Sequence, residues 1–160
     1  MSASSLRLLS RSPDETCRLA RVLADRLRAG DTILLDGDIG AGKTHFARCL
    51  IQTRLDMPED IPSPTYTLVQ TYPARACAIW HADLYRLSDV QEIEELGLTE
   101  AFEDAICLIE WPDRLGGMAP PDALTIRFEA AKDDAERRIT LSWAVRKWDA
   151  MVKGLEHAGS

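Results

Sequence analysis

Residues 37–44 read Gly37-Asp38-Ile39-Gly40-Ala41-Gly42-Lys43-Thr44, the pattern G-x-x-x-x-G-K-T. Glycines at these spacings let consecutive backbone N–H groups curl around an anion. The lysine supplies positive charge to the outer phosphates of a polyphosphate, and the threonine hydroxyl ligates Mg2+. The flanks agree with this reading. Upstream, Thr32-Ile33-Leu34-Leu35 is a short apolar run of the kind that forms a buried strand. Downstream, Phe46, Ala47, Leu50 and Ile51 fall on one face of a helix. Strand, loop and helix in this order point a helix N-terminus at phosphate. The stretch predicts binding of a nucleoside triphosphate with Mg2+; the bland alternative is a glycine-rich turn that binds nothing.

Upstream of this unit, Leu6 to Leu9 has the pattern of a short edge strand. Ser12-Pro13-Asp14-Glu15 reads as a capping box with proline at the first helical position. Cys17, Leu19, Ala20, Val22, Leu23 and Leu27 then form an apolar stripe, with Gly30 placed to end that helix. Downstream, the helix behind the loop is expected to fade near Met57-Pro58. Two β-rich runs follow, Thr65 to Tyr72 and Ala76 to Ala82. The short link between them, Pro73-Ala74-Arg75, favours an antiparallel hairpin, because a parallel return needs a long crossover. The sheet is therefore expected to be mixed. Ser88-Asp89-Val90-Gln91 offers a second capping box ahead of a short acidic helix ending at Gly97, and another helical turn spans Thr99 to Asp104. Ala105 to Ile109 is continuously apolar, the pattern of a central strand covered on both faces. Ala123 to Glu129 and Arg137 to Ala144 suggest a C-terminal hairpin, and Val145 to Leu155 a closing helix.

With 160 residues and no linker, repeat or low-complexity tract, residues 1–160 are expected to form a single domain. A formal net charge of −7 argues against a charge-driven grip on nucleic acid. Cys17, Cys49, Cys77 and Cys107 lack metal-site or redox-motif spacing and read as four small core residues in a reducing compartment. The serine- and arginine-containing first dozen residues have too little apolar sequence for a signal peptide, and no stretch is long enough to span a bilayer. A cytoplasmic location is expected.

A phosphate loop needs company to hydrolyse a nucleotide: an acid on the metal side and a group that orients water. The apolar strand ends in Ile109-Glu110-Trp111, placing Glu110 where a carboxylate can meet Mg2+ directly or through a water. The plainer reading is a carboxylate left at a strand rim. In His81-Ala82-Asp83-Leu84-Tyr85-Arg86, His81 and Asp83 share one strand face. Asp83 is the candidate to orient water or the waters around Mg2+, Arg86 to approach phosphates, and His81 is either functional or a hydrogen-bonded structural residue. Ser63-Pro64-Thr65 is either a hydroxyl sensor of the γ-phosphate or a proline-rich turn.

Four segments in order resemble one family: Gly37 to Thr44, Ser63-Pro64-Thr65-Tyr66-Thr67-Leu68-Val69, His81 to Arg86, and Ile109-Glu110-Trp111-Pro112. Together with Glu92 to Leu98 they are similar to the bacterial TsaE (formerly YjeE) ATPases of tRNA threonylcarbamoyladenosine biosynthesis, over roughly residues 12 to 145. The resemblance implies an α/β, P-loop NTPase-like three-layer fold with a central mixed sheet, and ATP and Mg2+ as cofactors. It implies an ATPase that supports the complex forming threonylcarbamoyladenosine at position 37 of ANN-decoding tRNAs. Its partners would be the threonylcarbamoyl transferase and the paralogous partner of that enzyme, with tRNA engaged only indirectly and no membrane. Carried onto this chain, Asp38, Gly40, Ala41, Gly42, Lys43 and Thr44 would cradle the phosphates, and Thr44 and Glu110 would hold Mg2+. Asp83 and Glu110 would be the catalytic carboxylates, Thr65 a switch residue, Trp111 a functionally sensitive aromatic, and Glu15-Thr16 an approach to the adenine. The family commonly carries a second threonine where this chain has His45, so the α-phosphate contact there falls to the backbone N–H. The rivals are a small-molecule or nucleoside kinase, which needs an arginine-bearing lid that the sequence does not offer, and a non-hydrolysing nucleotide-binding scaffold.

Overall fold

The computed structural model describes residues 4–55, 61, 68–74, 76–87, 89 and 91–157. Seven strands form one sheet: β1 (Ser4–Ser10), β2 (Thr32–Gly37), β3 (Val69–Pro73), β4 (Ala78–Asp83), β5 (Ile106–Glu110), β6 (Leu124–Ala130) and β7 (Arg137–Trp143). Their order across the sheet is β1-β7-β6-β2-β5-β4-β3. β2 pairs in parallel with both β5 and β6, and β4 in parallel with β5. The β3–β4 and β6–β7 hairpins and the β1–β7 pair are antiparallel. The sheet is mixed because the two hairpins graft antiparallel edges onto a parallel centre.

Helices α1 (Pro13–Arg26), α2 (Lys43–Arg54) and α5 (Lys147–Val152) cover one face of the sheet, and α3 (Gln91–Glu95) and α4 (Leu98–Asp104) the other. The central strands split their side chains between the layers by the two-residue period. Ile33, Leu35, Ile106 and Leu108 pack under α1 and α2, while Leu34, Cys107 and Ile109 face α3 and α4. The continuous apolar run of β5 is thus buried from end to end. The expected stripe on α2 is the buried one: Phe46, Ala47, Leu50 and Ile51 have no exposed surface. Phe46 meets Phe128 of β6 edge-on at 5.5 Å between ring centroids, fixing the loop's helix to the strand beside the loop.

Several local expectations need correction. The Ser12 hydroxyl accepts from the Glu15 N–H at 3.2 Å, but the Glu15 carboxylate takes the N–H of Arg11 at 2.7 Å, not that of Ser12. Helix α1 stops at Arg26, before Gly30, because Leu27 is already extended and Gly30 serves the turn into β2. Helix α2 ends at Arg54, ahead of Met57-Pro58, which lie outside the described residues, as does Ser88 of the second capping box; there Asp89 accepts from the Gln91 N–H at 3.0 Å. The closing helix is broken: α5 ends at Val152, Lys153 is extended, and Gly154 at φ +80° leads into a separate 3-10 turn, Leu155–His157.

The cysteines also depart from expectation. Cys17 and Cys49 are disulfide-bonded, with Cα atoms 5.4 Å apart. The packing of α1 against α2 brings these two together, which spacing in the sequence does not reveal. Cys107 is a free, fully buried core residue whose thiol is pushed up to about 12 by burial, as a plain core role requires, and Cys77 is free and half-buried.

Phe46→Ala removes the ring that joins α2 to β6, and should cost about 3–5 kcal/mol of stability in denaturant unfolding.

Candidate functional site

Three adjacent strand ends build the site. β2 leads into the loop at Gly37, β5 ends at Glu110 and β4 at Asp83, with Asp83 opposite Glu110 in the parallel register. The loop itself needs its glycines. A Cβ at Gly37 (φ +144°) would lie 2.6 Å from the Phe128 carbonyl oxygen, and Gly42 at φ +111° starts α2 from a left-handed conformation. Gly40 (φ +80°), Asp38 and Ala41 form the turn, closed by the Ala41 N–H on the Asp38 carbonyl at 3.0 Å.

Lys43 is buried within this turn. Its ammonium donates to the carbonyls of Gly37 and, at 3.3 Å, Asp38, and lies 3.7 Å from the centre of the Trp111 ring. Burial lowers its pKa, while Glu110, Asp83, Asp36 and Asp38 pull in the opposite direction. The Thr44 hydroxyl donates to Glu110 Oε1 at 2.7 Å. His81 Nε2 lies 2.6 Å from Glu110 Oε2; a carboxylate only accepts, so this nitrogen is the donor. Both residues are buried, so the two open readings of His81 meet in one contact: a hydrogen-bonded core histidine that fixes a site carboxylate.

Asp83 accepts from the Tyr85 N–H at 3.0 Å, and burial raises its carboxyl above the usual range. Glu110 adds to that rise; the Tyr85 N–H, His81 and Lys43 oppose it. The Tyr85 and Trp111 rings pack at 4.8 Å and, with Arg86, wall a cleft of about 490 Å³ into which Lys43, Thr44, Asp83 and Glu110 converge. Trp111 holds this place through a left-handed backbone at φ +60°, costly for a residue with a side chain.

The remaining candidates sit around this centre. His45, the third residue of α2, hydrogen-bonds through Nε2 to the Pro13 carbonyl at 2.9 Å, tying the first turn of α1 to the loop's helix. Glu15 lies on that same turn but lines a separate cavity of about 250 Å³ beside Arg7 and Arg11, not the cleft. Thr65, with Ser63 and Pro64, lies outside the described residues.

One participant was not read from the sequence. Arg137, at the start of β7, donates to the Ala41 carbonyl at 3.0 Å and the Gly40 carbonyl at 3.3 Å. Its guanidinium thus ties the C-terminal hairpin to two carbonyls of the phosphate loop. Its only sequence signal is a basic residue opening a strand whose hairpin ends beside the loop.

For a cation, the available donors are hard oxygens: the Thr44 hydroxyl and the Glu110 carboxylate, with Asp83 across from it. That set suits Mg2+. Among the described residues no group of three or more His, Cys, Asp or Glu side chains could hold a metal alone. Thr44 and Glu110 match the one or two protein ligands that Mg2+ takes when phosphate supplies the rest.

The family model described as "Threonylcarbamoyl adenosine biosynthesis protein TsaE" matches residues 10–139, spanning the loop, Asp83, Glu110 and Arg137. The chain belongs to the TsaE family. A TsaE protein of Rickettsia conorii is 43% identical over 119 residues, covering 74% of this chain and 68% of that protein. The Bacillus subtilis TsaE protein is 34% identical over 145 residues, 90% of this chain and 89% of the relative. The crystal structure of Bacillus subtilis YdiB superposes with a TM-score of 0.80 at 25% identity, covering 100% of this chain and 99% of the other. The α/β fold with a seven-stranded mixed sheet is therefore shared with that structure.

Asp83 provides a pH test. Its raised pKa means that the folded state holds the proton more tightly, so its contribution is fully present below the unfolded carboxylate range and is lost as pH rises through the folded value. At neutral pH the ionised form is a cost to folding. Asp83→Asn, which keeps the acceptor for Tyr85, should raise Tm at pH 7, and the gain should shrink as pH falls toward about 4 in thermal melts.

Proposed function

We propose that this chain binds ATP with Mg2+ and hydrolyses it in support of the protein complex that forms threonylcarbamoyladenosine at position 37 of ANN-decoding tRNAs. The family takes part in this tRNA modification. The observation that carries the ATPase reading is the alignment of loop, Glu110 and Asp83 on three adjacent strand ends, with Thr44 already hydrogen-bonded to Glu110.

In this reading the N–H groups of Gly40 through His45 and the ammonium of Lys43 hold the phosphates at the start of α2, where the helix dipole favours negative charge. Thr44 and Glu110 would hold Mg2+, which would supply charge neutralisation at the phosphates. Asp83 orients the attacking water: its raised proton affinity makes it a better acceptor than an ordinary aspartate. Trp111 and Tyr85 narrow access of bulk water to the cleft. Glu15 on the first turn of α1 is assigned the approach to the nucleoside, with His45 joining that turn to the loop's helix, and Thr65 is assigned the γ-phosphate sensor.

The net charge of −7 supports a role in which the transferase and its paralogous partner, not this chain, hold the tRNA. The work is assigned to the cytoplasm; no helix among the described residues is long and apolar enough to cross a membrane.

The deciding experiment adds labelled ATP to the purified chain, alone and with the transferase complex. Phosphate release that rises with the complex, together with repeated rounds of tRNA modification, is expected; transfer of the label to a small metabolite would replace this reading with a kinase.

Three substitutions separate the parts. Lys43→Ala should lower kcat/KM for ATP about a hundredfold or more by removing a phosphate contact. Glu110→Ala should raise the Mg2+ concentration needed for half-maximal turnover by about tenfold or more, and an unchanged Mg2+ dependence would refute the metal assignment. Arg137→Ala should weaken ADP binding by about tenfold in direct titration while leaving kcat within about twofold, because it shapes the loop without touching the reacting atoms.

A further inference from the structure

The disulfide between Cys17 and Cys49 belongs to no part of the site just described, yet it joins the two helices that flank it. Cys17 lies on the second turn of α1 and Cys49 on the second turn of α2, one turn beyond His45. Cys49 Sγ lies 3.9 Å from His45 Nε2, the same nitrogen that bonds the Pro13 carbonyl at the start of α1. Sulfur, imidazole and the first turn of α1 are thus one contiguous cluster beside the loop's helix.

Both cysteines are half-buried, not sealed in the core as Cys107 is, and they line a groove of about 390 Å³. Arg21 and Arg48 line the same groove. Two guanidinium groups attract an anionic reagent.

We propose that Cys17 and Cys49 form a thiol–disulfide exchange site for a small carboxylate-bearing disulfide of the glutathione type, and that their state sets nucleotide affinity. Exchange balances in two steps. One thiolate attacks a sulfur of the reagent, RSSR, forming a protein–reagent mixed disulfide and releasing RS⁻. The second thiolate then attacks the protein sulfur of that mixed disulfide, forming the Cys17–Cys49 bond and releasing the second RS⁻. The two thiol protons pass to the released thiolates, and the protein pair loses the two electrons that the reagent gains.

The coupling follows from what the bond constrains. Oxidised, it clamps α1 to α2 one turn from His45, so the first turn of α1 is held against the start of the loop's helix before nucleotide arrives. Reduced, the His45–Pro13 hydrogen bond must hold that turn without the covalent clamp beside it. Ordering that no longer has to accompany binding strengthens it. The oxidised form is the tighter binder. The affinity part rests on the nucleotide-binding reading above; the exchange part does not.

The test uses the full chain equilibrated across fixed ratios of reduced to oxidised glutathione, quenched with acid, unfolded, alkylated and weighed intact. Four alkylated cysteines are expected at the reducing end and two, Cys77 and Cys107, at the oxidising end. The oxidised form should melt several degrees higher, since the bond spans a sequence separation of 32 residues, and should bind a fluorescent ADP analogue roughly three- to tenfold more tightly. Cys17→Ser and Cys49→Ser should each abolish both differences. Four alkylations at every ratio, equal affinity in the two states, or a redox response that survives Cys17→Ser would overturn the proposal. Failure of both forms to bind nucleotide would instead refute the nucleotide-binding reading, with the thiol count and melting temperatures still deciding the exchange site.

Discussion

The Glu110 carboxylate is held at both oxygens, by Thr44 from the loop's helix and by His81 from the neighbouring strand. Much of the arrangement depends on this one group. A buried carboxylate without partners would be strongly disfavoured, so its two donors must be delivered together by α2 and β4. Those two contacts tie the register of β4 on β5 and the rotation of α2 to the same carboxylate. The candidate site and the local folding energetics here share one constraint.

The outer elements serve this centre from a distance. The β6–β7 hairpin brings Arg137 to the back of the loop, and β6 carries Phe128 against Phe46 at the base of α2. Helix α1 reaches the front through Pro13 and His45. Residues that touch the loop therefore come from the beginning, middle and end of the chain, so a lesion in the C-terminal hairpin can reach the front of the molecule through two contacts.

What was legible in the sequence was whatever short-range pattern controls. The loop, the buried face of α2, the continuous apolar β5 and both hairpins follow from spacings within about ten residues, and each is present. Glu110 and Asp83 were placed because they terminate recognisable strands. Pairings between distant elements carry no such local mark. Cys17 and Cys49 look unremarkable until α1 lies against α2, and Arg137 looks like any basic residue at a strand start until its hairpin folds beside Gly40 and Ala41. His81 showed its position in the sequence but not its partner. The break after Val152 was hidden because Gly154 sits inside an otherwise helical pattern.

The cradle of Lys43 has a consequence for the catalytic cycle of the proposed ATPase. Its ammonium rests on two loop carbonyls and the Trp111 ring, all of them groups of the protein itself. An arriving phosphate must compete for that cation, so capture is a swap of partners and the net gain is smaller than the gross attraction. The same arithmetic runs in reverse when product leaves: the lysine has somewhere favourable to return to, which lowers the barrier to letting go. Such a site trades grip for exchange, a property that the proposed role in support of a larger assembly calls for.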